Sequence, residues 1–135
     1  MATEISVHDL SHDTLWDELR SVIEDARRRG HDRCELVFGW HWGMVYPPGE
    51  PWKTFIVLLE QVEDEVRIPE EAALGRLGRD DVTIGIPAEG CSFEFCHHSG
   101  IHLTVSHPTP IAREFFERWD SAGLGPLQRD CPPSP

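Results

Sequence analysis

Residues 91–107 read CSFEFCHHSGIHLTVSH, and the alternation within this stretch decides the fold. Phe93 and Phe95 alternate with Glu94 and Cys96, and Ile101, Leu103 and Val105 alternate with His102 and Thr104, which is the period of two β-strands joined as a hairpin. A two-residue turn at Ser99 and Gly100 would put the two phenylalanines on the face opposite Ile101, Leu103 and Val105 and divide the core. A three-residue loop of His98, Ser99 and Gly100, with Gly100 left-handed in a G1 bulge, instead pairs Phe95 with Leu103 and Phe93 with Val105. All five apolar side chains then share one face, and this is the expected register. It sends His97 inward as a packing residue, and it leaves Glu94 near Thr104 and Cys96 near His102 on the outer face.

Working outward, a short strand is expected at Glu4–His8, followed by a helix with Ser11 as N-cap and Leu10 and Leu15 as a hydrophobic staple. Leu15, Leu19, Val22, Ile23 and Ala26 recur at helical spacing, Asp13, Asp17 and Glu18 complement its start, Arg27, Arg28 and Arg29 its end, and Gly30 stops it. Cys34–Trp42 has a strand period, broken by the proline-rich run that follows. Thr54–Val62 contains FIVLL, apolar on both faces, which predicts a strand at the centre of the sheet. Pro69, Glu70 and Glu71 suit the first turn of a two-turn connector helix. Val82–Ile86 reads as a strand, and Thr109 and Pro110 open a last helix through Ile111, Phe115, Trp119 and Ala122. From Gly125 the four prolines of GPLQRDCPPSP predict a mobile tail.

The expected fold class is therefore α+β: a mainly antiparallel sheet of four to six strands, with two long helices, near the N- and C-termini, packed on one face. Residues 1–124 form one domain and 125–135 its Pro-rich tail. A chain of 135 residues is long enough for one core.

Twelve basic against 24 acidic residues give a net charge of −12, which opposes direct binding to nucleic acid or an anionic membrane, since both require phosphate neutralisation by Lys and Arg. The same field favours a basic protein partner. No secretory leader is visible in MATEISVHDL, and the four cysteines make no dense disulfide framework, so the expected compartment is the cytoplasm and the thiols are read as free.

No P-loop or dinucleotide fingerprint occurs, and no cofactor is expected. Two surfaces carry candidate residues. On the outer sheet face, Cys96, His102, His41 and His98 are zinc-ligand types, with His31 and Cys34 as a separate pair, but they lack the paired spacing of structural zinc sites. Cys96 with His102 and Glu94 also has the residue types of a Cys–His enzyme, in an acidic setting that disfavours the thiolate. The second surface is the aromatic segment containing Trp40, Trp42, Met44, Tyr46 and Trp52, together with the acids Glu63, Asp64 and Glu65, as an anchor set for a protein partner. The sequence alone favours this last reading: a small acidic protein-binding module, of the kind exemplified by inhibitors and immunity-type partners of basic proteins, rather than an enzyme.

Overall fold

A computed structural model describes residues 2–39, 42, 52–107 and 109–131. In chain order the elements are β1 (Ala2–Val7), α1 (His12–Arg28), β2 (Arg33–Phe38), β3 (Thr54–Leu58), α2 (Leu59–Glu71), β4 (Val82–Ile86), β5 (Cys91–Phe95), β6 (Ile101–Val105), α3 (Pro110–Ser121) and β7 (Leu127–Cys131). The class is α+β as expected, but with seven strands and three helices. None of the described helices is long and apolar enough to cross a membrane.

The strands form one sheet in the order β3-β2-β4-β5-β6-β1-β7, and every neighbouring pair is antiparallel. It follows that β1 is parallel to β2, β3 to β4, and β6 to β7, and each of these pairs is joined through one helix. β1 crosses toward the β3 edge, whereas β3 and β6 run the opposite way and cross toward the β7 edge. Reversing both strand direction and crossing direction preserves handedness, so the right-handed rule for such connections puts all three helices on the same face. The core lies under them, built from Ile5, Leu36, Ile84, Phe93 and Leu103 of the sheet, Leu19 and Val22 of α1, Val62 and Val66 of α2, and Phe115 and Trp119 of α3.

α1 starts where the sequence places it: the Ser11 hydroxyl accepts the Thr14 N–H at 3.1 Å, and Leu10 and Leu15 are both buried. Gly30 follows it at φ +92°, the left-handed conformation that ends helices without a Cβ penalty.

Four expectations are corrected. The strand expected over Thr54–Val62 stops at Leu58, because Leu59, Val62, Val66 and Pro69 make a buried helical stripe. Pro69 therefore stands in the last turn of a 13-residue helix rather than opening a short connector. β3 is an edge strand, not a central one: among the described strands it pairs only with β2, whose other side is taken by β4. The tail expected from Gly125 includes a seventh strand, with Thr3 opposite Asp130 and Ile5 opposite Gln128; residues 132–135 lie outside the described residues.

The hairpin faces are as predicted and its register is not. Phe95 pairs with Ile101, Phe93 with Leu103 and Cys91 with Val105, a shift of two residues that preserves the faces. The connection runs from Cys96 to Gly100, the Cys96 N–H bonds the Gly100 carbonyl at 2.9 Å, and the left-handed residue is Ser99, φ +57°. Gly100 is required for a different reason: a Cβ there would lie 2.7 Å from the Val7 carbonyl oxygen of β1. His97 does not pack inward; it is exposed, and its backbone N–H donates to Asp81 at 2.7 Å.

Candidate functional site

Because strand side chains alternate, the face away from the helices is specified by the register. One row runs Ile56, Glu35, Gly85, Ser92, Thr104, Glu4, Arg129 across β3-β2-β4-β5-β6-β1-β7, and the next runs Thr54, Val37, Thr83, Glu94, His102, Ser6, Leu127. No described helix lies on this side. Apolar residues stand at both edges, Ile56 at 63% and Leu127 at 62% exposure. Between them the floor is short: Gly85, Ser92 and Thr104 on one row, Thr83 on the other.

The end of this face beside β2 is capped by Trp52. A Cβ on Gly39 would meet the Trp52 Cη2 at 2.8 Å and the Asp81 Cβ at 3.1 Å, so the indole rests on the glycine. Trp52 has φ +67°, a conformation costly for an aromatic residue, and its N–H donates to the Phe38 carbonyl at 2.7 Å. It remains 45% exposed.

The charges on the face separate into paired and unpaired acids. Glu4 is held by Arg129 at 3.0 Å and approached by His102 Nδ1 at 3.4 Å. His8 Nε2 and Ser6 Oγ are 3.0 Å apart, and the His8 ring meets the His102 ring edge-on at 5.4 Å. Glu35 and Glu94, by contrast, make no ion pair or side-chain hydrogen bond with any described residue. Of this face, the sequence reading contained Glu94, His102 and Thr104. It missed Glu4 and Ser6, although the alternation of Glu4, Ser6 and His8 against Ile5 and Val7 was a signal, and it missed Arg129 because β7 was read as a tail.

The expected zinc and thiol residues are dispersed. His102 lies opposite Glu94 and Ser6, not beside Cys96, whose buried sulfur would stand 3.3 Å from a Cβ on Gly100. His98 is exposed in the turn with its ring 4.0 Å from that of His97. His31 bonds Glu89 at 2.8 Å while Cys34 is buried, and His41 lies outside the described residues. Among the described residues no three Cys, His, Asp or Glu side chains are grouped to hold a metal ion.

Burial, reinforced by Glu35, pushes the Cys34 thiol up to about 11. Burial and Glu89 push Cys91 up to about 12, against the pull of Arg29. Both thiols should therefore be inert at neutral pH, alkylating at least ~100-fold more slowly than in the urea-unfolded chain, because the thiolate is the nucleophile. Mass-resolved iodoacetamide kinetics check this, and equal native and unfolded rates at either site would refute it.

In the expected partner-binding set, Trp42 is fully buried, with its ring against Phe38 at 5.4 Å. It is a core residue and is removed from the set. Trp52 remains exposed, and Trp40, Met44 and Tyr46 lie outside the described residues. On α2, Glu63 pairs with Arg20 and Asp64 with Arg67, each at 2.6 Å, so two of the three nominated acids have internal counter-charges; Glu65 is half-buried. No protein-family model matches the chain, and neither a curated protein nor a solved structure matches it.

Proposed function

We propose that the chain is a small acidic protein-binding module, not an enzyme, which engages a basic protein partner in the cytoplasm in the manner of inhibitors and immunity proteins. The observation that carries this reading is where the surplus acid lies. Internal ion pairs occupy Arg20, Arg28, Arg29, Arg67, Arg79, Arg113, Arg118 and Arg129. They leave Asp9, Asp13, Glu24, Asp32, Glu60 and Asp120 exposed, with no ion pair to any described residue. Unpaired surface charge of one sign steers association with the opposite sign and contributes little to folding. Three buried free thiols, Cys34, Cys91 and Cys96, suit a reducing compartment.

The test is retention of proteins from native lysate on the immobilised chain, with the bound fraction identified and eluted by a salt gradient. Retained proteins should be basic and should elute as ionic strength rises. Retention that is indifferent to ionic strength, or a retained set that is not basic, would overturn the reading.

A further inference from the structure

We infer that the partner docks on the face of the sheet that bears no described helix, with an arginine- or lysine-bearing segment lying across the floor of Gly85, Ser92 and Thr104, beside Glu35 of β2 and Glu94 of β5. This rests on the basic-partner reading and adds where the partner binds. Three observations select the face. The helix side is covered by α1, α2 and α3; its acids Glu63 and Asp64 meet Arg20 and Arg67, and its unpaired acids Asp13, Glu24 and Glu60 stand on exposed helix surfaces that solvent and salt screen. On the other side, Glu35 and Glu94 make no ion pair with any described residue. Between Glu35 and Glu4 only a glycine and two hydroxyl residues intervene, a shallow channel about 19 Å long at the usual strand spacing.

Charge complementarity identifies the occupant. A nucleic acid or a second copy of this chain carries the same sign as the face and is repelled, whereas a cationic segment meets two unpaired carboxylates. The exposed side chains of Trp52 and Ile56 at the β3 end offer apolar contact to the stem of a long cationic side chain or to its neighbours. Arg129 and His102 at the far end are committed to Glu4, so the carboxylates without an ion pair to a described residue stand on β2 and β5, with the exposed Arg33 two residues before Glu35 on the same strand face.

Gly85 supplies the decisive variant. A Cβ there meets nothing within 4 Å except the Glu35 Cβ at 3.5 Å, so Gly85→Trp fills the channel from the outside without entering the core. The probe is fluorescein-labelled octa-arginine, titrated at low salt by anisotropy against wild type, Gly85→Trp, Glu35→Lys/Glu94→Lys, and Glu24→Lys/Glu60→Lys, each checked for an unchanged thermal midpoint. Affinity should fall about tenfold in the first two variants and less than about twofold in the helix-side variant, since buried or flanked charge pairs matter more than rim charges. Backbone amides of β4 and β5 should shift on titration. Equal weakening by the helix-side variant, or no effect of Gly85→Trp, overturns the assignment of the face while leaving the basic-partner reading standing. Absence of binding by wild type overturns both. If Gly85→Trp loses its fold, the Glu35→Lys/Glu94→Lys pair decides alone.

Discussion

Trp119→Ala should lower the free energy of unfolding by about 4 kcal/mol, in the range measured for buried tryptophans. Trp119 is fully buried, stacks edge-on against Phe115 at 5.4 Å, and through Phe115 reaches Phe93 of β5 at 4.9 Å. Its indole N–H also donates to the buried Glu18 carboxylate at 2.9 Å, whose remaining charged partner is Arg118 at 3.1 Å. The substitution thus opens a cavity beneath α3 and strips one of the donors from a buried acid. Against the roughly 5–15 kcal/mol typical of a domain, that is a large share of the total. Trp119→Phe keeps most of the volume and loses only the hydrogen bond, so its cost should be nearer 1–2 kcal/mol. Urea unfolding followed by far-UV circular dichroism measures both; a loss below ~1.5 kcal/mol for the alanine variant would mean that α3 is not docked as described.

The second large effect concerns Glu70, which ties three segments together. Its carboxylate accepts the Leu77 N–H at 2.9 Å, the Trp16 indole N–H at 2.9 Å and a bond with His12 Nε2 at 2.8 Å. Burial opposes its ionisation, but the hydrogen bonds from Leu77, His12 and Trp16 outweigh burial, and its pKa is lowered. Glu70→Ala leaves the Leu77 backbone donor short of its acceptor and takes from the Trp16 indole the nearer of two, His12 Nε2 lying at 3.2 Å, at about 3 kcal/mol. The sign of the pH effect follows from linkage: a carboxylate with a lowered folded pKa contributes stability in full above its unfolded value of roughly 4.3, and loses it as pH falls through the folded value. Wild type should therefore exceed Glu70→Gln in stability at pH 7, with the difference shrinking below about pH 4.3. A gap between the two that stays constant from pH 7 to strongly acid conditions would show that ionised Glu70 is not its source.

The failures of the sequence reading have physical causes that can be assigned residue by residue. Thr54–Val62 offers apolar residues on both strand faces and, from Leu59, apolar residues at helical spacing; periodicity cannot separate the two over so short a run. Burial of Val62 and Val66 against α1 and the sheet resolves the ambiguity in favour of helix, even though Pro69 lacks an N–H for the ladder. Leu127–Cys131 has too little apolar content to announce a strand, and it becomes one because β1 presents an open edge to it. The hairpin missed its register by two residues, because a two-residue shift preserves side-chain faces and the hydrophobic pattern cannot detect it. What selects the observed register is contact with other elements: Gly100 packs against Val7, and the Ser99 N–H bonds the Gly78 carbonyl at 3.0 Å.

The sequence by itself determined the class of fold, the start and stop of α1, the extent of β4 and the sidedness of β5 and β6, because each depends on local spacing, capping and alternation. It also determined that the surface is acidic. Only the tertiary structure decided which acids remain unpaired, since Glu63 and Asp64 meet their arginines through packing and local geometry that composition does not reveal. Strand order likewise placed Glu35 beside Gly85 and Glu94 beside His102. The handedness of the three crossovers then collected α1, α2 and α3 on the other side and left that row of the sheet without a described helix over it.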